Sequence, residues 1–489
     1  VRRALLAGVA LALWLLVPAP DLGAAQSADR TVTADLDRIF ADPILARALV
    51  GVRVDSLSQP GVIYERNASS LVMPGSNLKL YTLAASAERL GWDFRFETRL
   101  EAAGTIADGA LHGDLVVGGG GDPSIASQDF GPSPMFGEWA DALKRAGIAR
   151  IDGRIVGDDH VFDQATLGEG WAWDYLADGY AAPVGGLSYD ENVAVVRLWP
   201  GAAAGDPVRI ELSPPGHGLE LTNAVKTGDA SSDTAVDLAR LPGSARLTIA
   251  GTVPAGGKVV TRTASIDNPT RFFVEALRLA LADRGITTTG GAWDLDDLSE
   301  PPAGARHVIA TRQSPPLSAL AGYWLKVSQN FYAECYFKTL GRAPGQPGTA
   351  EGGRRAVREV LTSWGIPPDS YVMNDGSGLS RYDYVTAAGI VTLLHHVWDD
   401  PRLRGPFVAA LPVAGHDGTL SSRMKGTVLD ANVEAKTGTI SNVRSLSGYV
   451  ETAAHEKLVF SVIVNHFTAK DAEIDAIVEK ALARLVDKH

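Results

Sequence analysis

A single cysteine, Cys335, occurs in 489 residues, so no internal disulfide can brace the chain. It stands in the aromatic-rich stretch 331–337, where a buried thiol is expected to behave as a small hydrophobe rather than as a nucleophile. Basic residues are also short. The net charge is −12, which argues against nucleic acid as the main partner. No H-E-x-x-H pattern occurs, and the adjacent His395 and His396 point in different directions from a helix, so no catalytic metal and no cofactor are expected. Low-complexity tracts and a fixed repeat are lacking, and past the first segment no apolar run suits a transmembrane helix. What remains is a globular composition, 45% hydrophobic and 21% charged, with length for two to four domains at roughly 100–200 residues each.

The first residues read as an export signal. Arg2 and Arg3 precede an apolar run over residues 4–17, too short to span a bilayer, followed by Pro18, Pro20 and the small residues Gly23, Ala24 and Ala25. Cleavage is expected after Ala25, giving a 1–25 signal peptide without a cysteine to lipidate. The mature chain is then expected outside the cytoplasmic membrane, in the periplasm or secreted and associated with the cell wall, touching the envelope peripherally.

A helix is expected over 31–44, strands near 50–55 and 62–66, and a helix from Ser76 to Leu90 stopped by Gly91. From residue 92 to 286 short strand-like pieces, such as 113–117, 193–198 and 245–250, are punctuated by Gly and Pro and predict one or two β-rich domains. Helical periodicity marks 269–282, 316–340, 354–364 and 387–397. Strands at 433–440, 446–452 and 457–467 come next, and a last helix aligns Ile474, Ile477, Val478, Ala481, Leu482 and Leu485 on one face. Consecutive strands with short connections imply an antiparallel meander covered by helices. The expected fold is therefore α/β (α+β): residues 26–91 and 287–489 form one catalytic unit, interrupted by the β-rich insert 92–286.

Three short patterns carry chemistry. Ser76-Asn77-Leu78-Lys79 sets a serine at a helix start with a lysine one turn on, so that helix N–H groups favour a developing alkoxide and a desolvated lysine can take the hydroxyl proton. Alone, the pattern is better explained by an N-cap serine with a solvated lysine. Ser328-Gln329-Asn330 lies between an apolar and an aromatic run, as a turn joining two helices from which a hydroxyl and an amide converge on a cleft. Lys436-Thr437-Gly438-Thr439 begins the meander, where Gly438 is expected to let a ligand approach the backbone and a strand edge can pair with a peptide. The tripeptide recurs at Lys226-Thr227-Gly228, but the residues after it read as a polar turn within the insert, and this copy is taken as a decoy.

In this order the three patterns are the signature set of penicillin-binding proteins and class A β-lactamases. Ser76 lies far from Ser328 in sequence and Ser328 close to Lys436, with the insert in the long interval. This layout resembles the class C low-molecular-mass penicillin-binding proteins, the D-alanyl-D-alanine carboxypeptidase/endopeptidase family. Gly120-Gly121-Asp122-Pro123, Tyr189-Asp190-Glu191-Asn192 and Asp375-Gly376-Ser377-Gly378-Leu379-Ser380-Arg381 resemble that family too, so the likeness spans nearly the whole mature chain.

The resemblance implies a catalytic set of Ser76, Lys79, Ser328, Asn330 and Lys436, with Thr437, Gly438 and Thr439 binding substrate and no metal. Ser76 is acylated by the penultimate D-Ala carbonyl and Lys79 takes its proton, although which lysine is the true base is left open. Ser328, held near Lys436, passes a proton to the leaving amine, and Asn330 contacts the peptide. Thr437 and Thr439 bind the terminal carboxylate, and the N–H groups of Ser76 and Thr439 form the oxyanion hole. The implied partners are peptidoglycan stem peptides ending in D-Ala-D-Ala, D,D cross-links and β-lactam antibiotics, with diaminopimelate at the third stem position. Two alternatives stand beside this DD-peptidase: a serine β-lactamase, for which no Glu-x-x-Leu-Asn-like segment lies between Ser328 and Lys436, and a catalytically silent peptidoglycan-binding protein.

Overall fold

A computed structural model of the chain describes residues 22–128 and 132–487. The expected leader, 1–25, falls outside the described residues except for its last four, which open the helix Leu22–Phe40. No helix among the described residues is long and apolar enough to cross a membrane.

Both ends of the chain meet in one antiparallel five-stranded sheet, ordered Val433–Ile440, Val443–Glu451, Lys457–Asn465, Leu49–Ser56 and Val62–Arg66. Its central strand Lys457–Asn465 is almost wholly buried because helices cover both faces. Strand alternation divides its side chains between two cores. Val459 and Ile463 join one with Leu393 and Leu394 of the helix Ala387–Asp399. Leu458, Phe460, Val462 and Val464 join the other with Leu36, Phe40, Ile474 and Leu482 of the two terminal helices. Leu49 pairs with Asn465 and Ser56 with Leu458, so the N-terminal strand is locked against the C-terminal meander along its whole length. This is the helix-covered antiparallel sheet that the sequence led us to expect.

Cys335 is fully buried in the first core, and burial pushes its thiol well above the ordinary value.

Between Glu97 and Gln313 the chain builds further sheets around a separate apolar core that includes Leu100, Leu115, Phe136, Trp139, Phe273 and Leu277. Its largest sheet reaches past residue 286, because the strand Arg306–Gln313 pairs with Glu97–Ala107. It also contains a helix, Pro134–Arg145, where the sequence pattern suggested only strands. Pro134 occupies the first turn, where its missing N–H costs nothing, and Phe136, Trp139, Ala140 and Leu143 form the buried face. Lys226-Thr227-Gly228 closes the strand Glu220–Gly228 of this insert, and a turn follows.

Candidate active site

Ser76 sits in the short 3-10 turn Gly75–Leu78 that leads directly into the helix Lys79–Leu90. The turn is anchored from both sides. Asn465, on the central strand, accepts from Met73 N at 2.7 Å and donates to Met73 O at 3.0 Å. Asn77 donates to Ser445 Oγ at 2.5 Å and to Lys436 O at 3.2 Å, while Ser445 donates to Pro74 O at 2.7 Å. These bonds fix the serine against the edge strand Val433–Ile440. A Cβ on Gly75, whose φ is +51°, would stand 3.0 Å from Thr439 N, which shows how closely the turn approaches that strand.

The two lysines lie beneath the cleft with no exposed surface. Lys79 Nζ donates to Ser76 Oγ at 2.7 Å, Asn330 Oδ1 at 2.6 Å and Ser377 O at 2.8 Å. Three acceptors match the three protons of an ammonium. In the neutral amine two of these bonds can persist while the lone pair accepts the Ser76 proton, so the change of charge needs no rearrangement. Burial lowers Lys79 to about 7, against the opposing pull of the nearby carboxylates of Asp375 and Glu334. Lys436 Nζ donates to Ser328 Oγ and to Thr437 O, both at 2.8 Å. Burial, and then the charge of Lys79, hold it well below the ordinary lysine value.

Ser328 occupies the turn between the helices Leu317–Lys326 and Asn330–Leu340, and Asn330 opens the second of them. Ser328 has φ +61°, a left-handed conformation uncommon for a residue other than glycine. Thr437 and Thr439 lie on the edge strand. Ala435 N donates to Pro412 O outside the sheet, and strand alternation turns the backbone of Thr437 and Thr439 toward that same side. Their side chains join Ser76, Ser328, Asn330 and Thr419 around a cleft of about 470 Å³. Thr437 Oγ1 lies 2.7 Å from Thr419 Oγ1, and Arg444 Nη1 donates to Thr439 Oγ1 at 2.6 Å.

All eight residues singled out in the sequence are thus brought together. Gly438, however, owes its missing side chain to protein rather than ligand: a Cβ there would meet Ser445 Oγ at 2.2 Å and Pro74 O at 2.5 Å. The requirement is the close approach of the strand to the Ser76 turn.

Several further residues escaped the sequence reading of the chemistry. Asp375 is buried and accepts from the backbone N–H groups of Ser377, Gly378 and Ser380, shaping the loop that offers Ser377 O to Lys79. Glu334 accepts from Gly376 N at 3.0 and 3.1 Å, and burial raises its carboxyl, with the Asp375 charge adding to the effect. The insert reaches the cleft as well. Trp171 donates to Asp375 Oδ2 at 2.8 Å, Asn330 donates to Tyr180 O at 2.8 Å, and Tyr175 and Tyr180 line the cavity. Asp375 was visible in its Gly-rich run; the aromatic residues carried no local signal.

One group away from the cleft has metal-ligating types. Asp159, His160 and Asp296 hold ligand atoms within 4.8 Å of one another, but these side chains already bond one another, Thr270 and Gln164. His395 and His396 diverge, His396 stacking on Trp364 with ring centroids 4.1 Å apart and His395 facing Asp55.

The sequence matches the profile of the D-Ala-D-Ala carboxypeptidase 3 (S13) family over residues 32–488. It is 33% identical over 469 residues to the D-alanyl-D-alanine carboxypeptidase of an Actinomadura species, covering 93% of this chain and 85% of that protein. It is 27% identical over 429 residues to the D-alanyl-D-alanine carboxypeptidase DacB of Haemophilus influenzae, covering 87% of each. The crystal structure of penicillin-binding protein 4 from Haemophilus influenzae superposes with a TM-score of 0.79 at 26% identity, covering 92% of this chain and 98% of that one. With the three ordered motifs gathered at one cleft and the match running from residue 32 to 488, the chain belongs to the D-Ala-D-Ala carboxypeptidase 3 (S13) family.

Proposed function

We propose that the protein is a serine D-alanyl-D-alanine carboxypeptidase that also cleaves D,D cross-links, acting on peptidoglycan stem peptides through an acyl-enzyme on Ser76. The observation that carries this reading is the 2.7 Å bond between Ser76 Oγ and a fully buried Lys79 lowered to about 7. A lysine half neutral near pH 7 is a competent base, and its position beside the hydroxyl makes it the acceptor of the Ser76 proton. Lys436 does not bond Ser76; it bonds Ser328.

In the proposed reaction Ser76 Oγ forms a bond to the carbonyl carbon of the penultimate D-Ala as its proton passes to Lys79. The carbonyl oxygen gathers charge beside the N–H groups of Ser76 and Thr439. Collapse breaks the C–N bond, and the leaving amine takes, through Ser328, which Lys436 holds, the proton that Lys79 received, so that Lys79 is neutral again. Water then attacks the ester as its proton passes to Lys79, the bond to Ser76 Oγ breaks, that proton passes on to Ser76 Oγ, and the shortened peptide leaves. The terminal carboxylate of the substrate meets the hydroxyls of Thr437 and Thr439, and its backbone pairs with the outer edge of the strand Val433–Ile440 at Thr437 and Thr439, beyond the part that residues 412–414 cover. Asn330 fixes Lys79 with its carbonyl oxygen and contacts the peptide. A β-lactam follows the same first step, but its leaving nitrogen stays tethered, so the ester persists. The substrate lies outside the cytoplasmic membrane, and we place the enzyme there, in the periplasm.

Intact mass of the purified protein before and after benzylpenicillin tests the reading, with Ser76→Ala as control. A lasting one-to-one adduct absent from the variant is expected. No adduct with intact antibiotic refutes the site, and no lasting adduct with hydrolysed antibiotic points to a β-lactamase.

A further inference from the structure

Ser328, Gln329 and Asn330 must hold one geometry for Lys436 and Lys79 to be bonded as they are. Ser328 is itself left-handed, so the backbone preference of the turn does not supply that geometry. Gln329, between the two, bonds in both directions. Its Oε1 accepts from Phe331 N at 3.1 Å, capping the helix Asn330–Leu340, and its Nε2 donates to Glu191 Oε2. Glu191 belongs to the insert and is separated from Gln329 by 138 residues. Its other oxygen, Oε1, accepts from Tyr323 OH at 2.7 Å, on the helix that precedes the turn.

The segment that carries Glu191 is built for this reach. Asp190, Glu191 and Asn192 have consecutive φ values of +48°, +55° and +58°, a left-handed run that Asp and Asn enter readily but that a glutamate between them holds only at a cost. The flanks are tied into the insert: Asp190 Oδ1 accepts from Ser127 N at 2.6 Å, and Asn192 Nδ2 donates to Pro183 O at 2.8 Å. Glu191 alone projects to the other unit, where one carboxylate joins the two elements on either side of Ser328. We propose that Glu191 is a positioning residue for the reaction, holding Gln329, and through it the turn 328–330, where Ser328 meets Lys436 and Asn330 meets Lys79. This role rests on the reading of the cleft given above. It gives the insert a part in catalysis that requires no contact between Glu191 and substrate.

The orientation of each group is fixed by chemistry. A carboxylate only accepts and a backbone N–H only donates, so Gln329 must present its amide nitrogen to Glu191 and its oxygen to Phe331. Gln329→Glu would set carboxylate against carboxylate. Adding Glu191→Gln would restore a donor facing that new acceptor, while the amide oxygen still accepts from Tyr323. The test measures benzylpenicillin acylation of full-length wild type, Glu191→Ala, Gln329→Glu and the double variant Glu191→Gln/Gln329→Glu, resolving the limiting rate from the half-saturating concentration. Both single variants are expected to lower the limiting rate about tenfold or more with half-saturation little changed, and the double variant to recover to within about threefold of wild type. Glu191→Ala at the wild-type rate would overturn the proposal, as would a double variant no faster than Gln329→Glu. If Glu191→Ala fails to fold, the second comparison decides. Wild type in the same series reports separately on the cleft, since absence of its adduct would refute the site rather than the role of Glu191.

Discussion

If Lys79 takes the Ser76 proton, the rate of acylation must follow the neutral fraction of that lysine. At its ordinary value of 10.5 only about 3 in 10,000 side chains would be neutral at pH 7, whereas a lysine lowered to about 7 is roughly half neutral. Burial therefore supplies about a thousandfold in available base. Lowering the pH from 8 to 5 takes the neutral fraction from about 0.9 to about 0.01, a roughly 90-fold fall. The assay is the second-order rate of benzylpenicillin adduct formation, followed by intact mass in the purified full-length protein. This rate reports groups of the free enzyme. We expect a tenfold rise per pH unit below about pH 6.5 and a plateau above about pH 8. A rate that is flat from pH 5 to 8 would refute Lys79 as the base. A rate still climbing tenfold per unit above pH 8 would show that burial does not lower it as the geometry requires.

The same titration affects stability. Between pH 7 and 10.5 the unfolded chain binds a proton on Lys79 that the folded chain has released, so folding gains with rising pH through that window and is insensitive to this group below it. In urea unfolding, wild type should gain on Lys79→Met by up to about 1.4 kcal/mol per pH unit between pH 7.5 and 9; an unchanged difference would refute the assignment. Arg444 donates to Thr439 Oγ1, leaving the hydroxyl proton free to face an anion in the cleft. Arg444→Leu should raise KM about 5- to 20-fold for a D-Ala-D-Ala peptide with a free carboxylate and much less for its amide, measured by D-Ala or D-alaninamide release. Gly378 has φ +82°, and a Cβ there would lie 1.9 Å from Gly75 O. Gly378→Ala is expected to cost about 2 kcal/mol or more in urea and to slow acylation, because the displaced backbone carries Ser76; an unchanged urea midpoint would refute the contact.

What the sequence by itself determined is what short-range rules govern. Ser76 and Lys79 share a face because they lie one helical turn apart, and the near-continuous apolar run along 457–465 reads as a strand, which the structure buries on both faces. The ordered motifs also identified the polar residues that gather at the cleft, and the density of Gly and Pro after residue 92 led us to expect a β-rich stretch there. Only the tertiary structure decided how those residues behave. Lys79 and Lys436 are displaced from ordinary lysine chemistry by complete burial, which depends on segments hundreds of residues apart closing over them. Gly438 looked like room for a ligand and is instead room for Pro74 and Ser445, a distinction that needs the facing strand. Helix Pro134–Arg145, by contrast, was written in the chain, since Phe136, Trp139, Ala140 and Leu143 recur at helical spacing after Ser133-Pro134, and it was masked only by the strand signals on either side. Tyr180 and Trp171 carry no local mark, and Glu191, although it stands in the run Tyr189-Asp190-Glu191-Asn192 that resembles the family, shows nothing of its partners there. Their contacts join residues 138, 150 and 204 positions apart, and hydrogen bonds over such separations are set by the packing of segments distant in the chain rather than by any period within it.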